Sequence, residues 1–368
     1  MKKTKILRNI PVSVSVLFAL VRLLAAGTND GTLNLDNMPL SGHSGILSLS
    51  PTPMPMAIPM STPCGSAWME RASVPYNAGG IFAVSDGTYV YAGGGTDLVN
   101  GIVHNDLLRY DPVNDSWTAL APSPDHHALS QTVYFNGKIY NIGGYNEIFS
   151  GTDTTRIYDI ATDTWTTGAP MPQALAQMAT TIWNGVIYVA GGNLLNGTIV
   201  NTLYAYDIAS DTWTTLAAMP EPLTLPGFGA INGELYIVGG FGNGVMLDTL
   251  YIYDIDSNTW TSGANLSQAV DGSGTSAFNG LLYVYGGRLP GSALTNMTWI
   301  YDPASNTWSD GPNLATAKYA MYGTAVANHI IVTPGGLLAN LVGVTDNQQF
   351  ITRPCPTPRP RPTPAPRP

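Results

Sequence analysis

Cysteine is nearly absent from this chain: Cys64 and Cys355 are the only two in 368 residues. That excludes paired-cysteine metal motifs. Basic residues are equally scarce in the body of the chain. Between Cys64 and Phe350 only Arg71, Arg109, Lys138, Arg156, Arg288 and Lys318 are basic, against 22 acidic residues, so this stretch carries a net charge of −16. Phosphate binding demands a basic surface, so nucleic acid and anionic membrane are excluded as partners. Long apolar runs are missing after Leu24, which leaves an N-terminal anchor as the only expected membrane contact. The chain also lacks a Gly-x-Ser-x-Gly elbow, a phosphate-binding glycine loop and, beyond its first residues, any helical period. No cofactor and no metal site is expected.

What the chain does have is a rhythm. Glycine pairs recur at Gly93-Gly94, Gly143-Gly144, Gly191-Gly192, Gly239-Gly240, Gly286-Gly287 and Gly335-Gly336, in steps of 50, 48, 48, 47 and 49 residues. A period of this length marks a repeat array or a propeller. Each pair closes a short run rich in β-branched and aromatic residues, such as Val-Ile-Tyr-Val-Ala at 186–190, which reads as a buried strand. Asn-Gly precedes four of these runs, at Asn136, Asn184, Asn232 and Asn279, and Asp86-Gly87 precedes the first. These dipeptides supply the positive φ angles of a tight hairpin. After each glycine pair comes an aromatic: Tyr110, Tyr158, Tyr206, Tyr253, Tyr301 and Phe350. Seven residues beyond each tyrosine stands a tryptophan: Trp117, Trp165, Trp213, Trp260 and Trp308. Turn-forming Asp, Asn and Ser lie between, so each unit reads as four antiparallel strands.

A hydrophobic run, Gly-Gly, Tyr, six residues and Trp together resemble the Kelch repeat. The resemblance covers roughly residues 64–355 and implies an all-β, six-bladed β-propeller of four-stranded antiparallel blades. The sixth unit has no tryptophan after Phe350, whereas Trp68 stands alone near the front. The N-terminal strand around Trp68 is therefore expected to close the ring as the outer strand of the last blade. Superposed on the Tyr-to-Trp hairpin, Cys64 and Cys355 fall in one turn, which predicts a disulfide joining the two ends; the alternative is two unpaired thiols.

Residues 1–27 combine a basic start, an apolar stretch and Ala25-Ala26-Gly27, the pattern of a signal peptide. Residues 28–62 read as a Pro/Ser/Met-rich linker, 63–355 as the propeller and 356–368 as a Pro/Arg/Thr-rich tail. The expected location is secreted, periplasmic or cell-surface, and the expected state is a monomer.

By the same resemblance, the loops after the Gly-Gly strands and after the tryptophans surround a central pocket that binds ligands. Rim candidates there are Arg71, Tyr76, Asp125, His126, Gln173, Glu221, Asp271, Lys318 and Tyr319, with Gln177, Gln268 and Tyr322 beside them. Amides, carboxylates and aromatics suit sugars and peptides. Arg71 and Lys318 are the only basic residues where many Kelch repeats carry arginine. Asp125-His126-His127 is the sharpest polar cluster, but neighbours in an extended segment point opposite ways, so solvated loop residues are expected rather than a metal site. Trp183 and Trp299, outside the repeat pattern, are expected to pack in the core. The sequence thus predicts a non-enzymatic scaffold that binds a protein or a glycan. The alternatives are a Kelch-type sugar epimerase or mutarotase, and a purely structural spacer.

Overall fold

A computed structural model of the chain describes residues 65–321, 323–326, 329–332, 336–338 and 343–353. The leader, linker and tail, both cysteines, Tyr322 and Gly335 lie outside the described residues. The architecture is an all-β propeller with four-stranded antiparallel blades. Five sheets are each built from one uninterrupted repeat, beginning with the inner strands Phe82–Ser85, Gln131–Phe135, Ala179–Trp183, Gly227–Ile231 and Gly274–Phe278. A further four-stranded sheet joins Gly65–Arg71 from the front of the chain to Gly323–Val326, His329–Val332 and Asn347–Arg353 from its end. No helix of the described residues is long and apolar enough to cross a membrane.

The turn chemistry forms as the sequence dictates. Asn136 and Gly137 take φ of 47° and 79°, and this doubly positive turn pairs Phe135 with Lys138. At the strand ends, Gly143 and Gly144 also have positive φ. A Cβ on Gly143 would sit 2.6 Å from the Leu175 carbonyl oxygen, so only glycine lets the next loop approach this closely. Two post-glycine loops fold into small hairpins that the four-strand pattern does not anticipate, Thr96–Asp97 with Ile102–Val103 and Phe241–Gly242 with Val245–Met246. The second turns on Asn243-Gly244, at φ of 50° and 83°, so the dipeptide acts here as it does in the blades.

Every repeat aromatic meets its tryptophan across the two outer strands: Tyr110 pairs with Trp117, Tyr158 with Trp165, Tyr206 with Trp213, Tyr253 with Trp260 and Tyr301 with Trp308. Trp68 pairs with Phe350 in the same register. These indoles do more than fill space. Trp165 Nε1 donates to the Ala121 carbonyl of the preceding blade at 2.9 Å, Trp213 to Ala169 at 2.9 Å, Trp260 to Ala217 at 2.8 Å and Trp308 to Ala264 at 2.7 Å. The same alanines donate their own N–H groups to the turn residue of the next blade: Ala121 to Asp163, Ala169 to Asp211, Ala217 to Asn258 and Ala264 to Asn306. That turn oxygen also accepts the buried tyrosine hydroxyl, as Tyr206 to Asp211 and Tyr253 to Asn258. One residue therefore ties two blades at two points. The turn residues sit at φ of 49° to 54°, where Asp and Asn are tolerated best. The bond from Ala169 N–H, then that from Tyr206, holds the Asp211 carboxyl below its ordinary range.

A second tie runs around the axis. Just before the inner strands, Gly80 N–H bonds to Ala320 O (3.0 Å), Ala320 to Gly272 (2.8 Å), Gly272 to Leu225 (3.0 Å), Leu225 to Gln177 (3.0 Å), Gln177 to Leu129 (3.2 Å) and Leu129 back to Gly80 (3.0 Å). All six residues have φ between 51° and 66°. Four of them are not glycine, so this backbone is strained and must be held by the packing around it.

The clamp makes a sharp contrast testable. Asn258→Asp should leave the urea midpoint nearly unchanged, because aspartate fills the same place in three other blades. Asn258→Ala removes the acceptor of both Tyr253 and Ala217 and should cost about 2 kcal/mol.

Candidate functional site

The post-glycine loops and the post-tryptophan loops emerge on one face, and among the described residues packed side chains fill the centre of that face. Above the ring of axial hydrogen bonds lies an apolar layer of Leu129, Tyr145, Ala176, Leu225, Tyr319, Ala320 and Leu337. Charged groups beside this layer stand in pairs. Asp271 is fully buried and takes two bonds from Arg288, Nε to Oδ1 at 3.0 Å and a terminal nitrogen to Oδ2 at 2.6 Å. The Arg288 guanidinium lies 5.4 Å from the Tyr319 ring centre. Lys318 is equally buried and donates to Asp346 Oδ1 at 2.9 Å. Burial pushes the Lys318 ammonium below its ordinary pKa, and Asp346 opposes the shift.

The remaining rim candidates lie further out. Arg71 donates to Gln349 at 2.7 Å, and Tyr76 stacks on His104 at 4.2 Å. Three of them share one task at one repeat position. Asp125 accepts from Arg156 Nε at 2.5 Å, Gln173 from the Tyr204 hydroxyl at 3.0 Å and Glu221 from the Tyr251 hydroxyl at 2.5 Å. Each partner stands two residues before the repeat tyrosine of the blade that the loop leads into. That spacing was open to sequence reasoning and is the signal that identifies these pairs. Gln177 belongs to the axial ring, and Gln268 is exposed.

Asp125 and His126 do come together, in an off-axis pocket of about 230 Å³ lined also by His127, Asn141, Asn146, Glu147, Thr152, Thr154 and Arg156. His126 is exposed, whereas His127 turns inward and is buried, stacked on Phe82 at 5.5 Å. Sequence reasoning expected solvated loop residues here. The difference arises because the Gly94-Gly95 strand end has no side chains and leaves room for the ring: a Cβ on Gly94 would meet His127 Cδ2 at 2.6 Å. His127 Nδ1 faces the Asp125 carbonyl at 3.0 Å, where only a donor serves, so the neutral ring carries its proton there. Among the described residues no three His, Cys, Asp or Glu side chains converge as metal ligands.

Around this closed centre the loop tips carry exposed apolar side chains. Val99 (63% exposed), Ile102 (47%), Ile148 (70%), Leu195 (53%) and Val245 (55%) project from the post-glycine loops of four consecutive blades. Short polar turns hold the tips in place. Asp97 Oδ1 accepts from Val99 N–H at 3.0 Å, and Asn146 Oδ1 accepts from Ile148 and Ser150 N–H. Sequence reasoning missed this crown because each residue is a single apolar side chain in a polar loop. Only the ring arrangement sums them. Trp183 and Trp299 have no part in it: Trp299 is buried among Tyr236, Val284 and Tyr301, and Trp183 packs half-buried against an interior cluster.

His127 gives the site a pH signature. Burial drives its pKa from 6.5 down to about 4, so the unfolded chain binds a proton that the folded chain refuses between these values. The associated stability is full above pH 6.5 and is lost as pH falls toward 4. Urea denaturation should record a decline of about 3 kcal/mol across that window. His127→Phe, which keeps the ring stack, should flatten that part of the profile.

With the geometry in place, comparison with known proteins is direct. The sequence matches the KLHDC2/KLHL20/DRC7 Kelch-repeats domain over residues 87–271 and again over 126–336. No curated protein matches it. A solved structure described as "Structure of YjhT" is similar with a TM-score of 0.65 at 17% identity, covering 75% of this chain and 95% of the other. At that identity the likeness speaks for the fold alone. The repeat matches, the paired tyrosines and tryptophans and the four-stranded blades lead to one conclusion: this chain belongs to the Kelch-repeat β-propeller family.

Proposed function

We propose that the chain is an exported, non-enzymatic binding propeller whose post-glycine loops dock a protein. The observation that carries this reading is the crown of Val99, Ile102, Ile148, Leu195 and Val245, five exposed apolar side chains on one face. Apolar groups gathered on one face of an otherwise polar surface mark contact with another protein. Charge narrows the partner. The propeller stretch carries a net charge of −16, so a basic protein surface fits and an acidic one is repelled. Asp125 and His126, in the off-axis pocket beside Ile148, add polar contacts at the edge.

The alternative reading as a sugar epimerase requires free acid and base groups. Arg71 and Lys318, the two basic residues among the rim candidates, are engaged by Gln349 and Asp346. Export rests on the leader at residues 1–27.

Binding by a rigid face is served by a closed ring, and we propose that six blades close it, the last completed by Gly65–Arg71. Three observations support this: the pairing of Trp68 with Phe350, the 2.9 Å bond from Trp68 Nε1 to the Pro312 carbonyl, and the cyclic bonds of the axial ring. The joint is poorer than the others in one respect. Phe350 lacks the tyrosine hydroxyl and Pro312 lacks the N–H of the alanines, so the two-point clamp is halved there. A Cys64–Cys355 disulfide, next to the paired Gly65 and Arg353, supplies the missing tie.

Two experiments test these proposals. A candidate protein captured by the purified propeller and then purified itself should lose binding about 30-fold or more to Ile148→Asp with Leu195→Asp. Val113→Asp, at an exposed site on the opposite face, should bind as wild type. Equal loss in both variants, or selective binding on a glycan array with no protein bound, argues against a protein-docking crown. Peptide mass mapping should find a linked pair containing Cys64 and Cys355 only without reductant. Two free thiols in the unreduced protein would remove the disulfide from this account.

A further inference from the structure

We infer that the off-axis pocket beside Ile148 takes an arginine or lysine side chain of the docked protein, an assignment that rests on the crown being a docking surface. The pocket encloses about 230 Å³ between two loops, with Asp125 and His126 on one side and Glu147 and Thr154 on the other. That volume falls below the ~300 Å³ of drug-sized pockets, so it admits one long side chain rather than a stretch of backbone.

The charges around the pocket select the sign of the occupant. Arg156 is the one guanidinium or ammonium among its lining residues, and it is spent. Its Nε donates to Asp125 Oδ2 at 2.5 Å, one terminal nitrogen meets the same oxygen, and the other donates to Thr167. An anion entering here would find no free cation, on a propeller stretch of net charge −16. Carboxylate oxygen is left over. Both Arg156 contacts fall on Oδ2 of Asp125, so Oδ1 stays free to accept, and the side chain is 42% exposed. Glu147 is exposed and makes no bond to another described residue. These acceptors are open to solvent, so an incoming ammonium or guanidinium reaches them directly. With Asp125 balanced by Arg156, the charge of Glu147 stands alone and favours a cation.

The loop tip ties this pocket to the crown. Glu147 and Ile148 are neighbours in the turn whose N–H groups, of Ile148 and Ser150, are gathered by Asn146 Oδ1 at 3.2 and 2.8 Å. One short turn therefore presents a carboxylate and an apolar side chain at consecutive positions. Lysine and arginine have the complementary build, an apolar stem ending in a charged head. The stem lies along Ile148 and the head enters the pocket. A partner that offers only apolar groups fills the crown and leaves the pocket unused, so the pocket discriminates among partners that the crown alone would accept equally.

Ligand-observed NMR on the full-length chain tests this with blocked single residues. N-acetyl-arginine methylamide and N-acetyl-lysine methylamide are the basic probes, N-acetyl-citrulline methylamide is the neutral twin of the first, and N-acetyl-glutamate methylamide is the anion. At least one basic probe should bind saturably in the millimolar range, about fivefold or more tighter than the citrulline and glutamate probes. Raising NaCl from about 50 mM to about 500 mM should remove most of that margin. Glu147→Gln keeps the shape and has no protein partner to lose, so it should melt as wild type and weaken the basic probe about fivefold. Val113→Asp, on the opposite face, should bind the probe as wild type. Citrulline or glutamate probes binding as tightly as the basic ones, no saturation by either basic probe, or indifference to Glu147→Gln overturns the proposal. The probes need no protein partner, so this outcome is separate from that of the crown. A captured protein that depends on Ile148 and Leu195 while the probes show no preference leaves docking in place and removes the basic anchor. Selective probe binding with no dependence of the captured protein on those two residues removes docking and leaves a site for basic side chains.

Discussion

Everything in this molecule depends on how one blade is fastened to the next. A propeller blade is a small sheet that cannot bury both faces alone, so its neighbours must supply the missing contacts in a fixed orientation. Apolar packing between sheets gives most of the energy but little of the angle. The angle comes from the alanine that follows every outer strand but Thr307–Gly311, where Pro312 stands instead. Its carbonyl takes the indole N–H of the next blade and its N–H takes the next turn oxygen, as with Ala169, Trp213 and Asp211. Two bonds in opposite directions at one residue set a hinge that cannot swing. The buried tyrosine hydroxyl then fixes the turn oxygen itself. The same few atoms recur from blade to blade, and the axial ring of Gly80, Leu129, Gln177, Leu225, Gly272 and Ala320 converts that recurrence into a common centre.

Much of this was legible in the sequence because repetition makes weak signals additive. A single Tyr-x6-Trp would say little. Five of them, spaced like the glycine pairs, fix strand number, register and turn type, and Trp68 without a preceding tyrosine points to its partner Phe350. The site was less legible, for a reason rooted in the same regularity. Lys318, Asp271 and Tyr319 lie in loops and look exposed in sequence, yet six loops converging on one axis bury whatever stands nearest it. Their partners Asp346 and Arg288 come from other loops of the same blade, 28 and 17 residues away. The crown was illegible for the opposite reason: its side chains are ordinary one by one, and only their common height on one face gives them meaning.

The two faces therefore differ in kind. Among the described residues the loop face is filled at its centre, where ion pairs and apolar side chains lie over the axial ring, and it offers its apolar groups at the periphery. The Asn-Gly face is lined by tight turns with an axial cavity between them. The first face presents a broad rim of loop tips. Strain in the axial ring is what separates the two, since four non-glycine residues are held at positive φ where the inner strands begin.

The pairing of Gly65 with Arg353 also brings the two ends of the propeller together. These residues end their strands beside the turns that join third and outer strands, on the side away from the loop tips. Both ends of the propeller thus leave at one corner of one face. Whatever lies before residue 65 or after residue 353 pulls on the same point, and a force applied between those flanking segments loads that corner and bypasses the other blades.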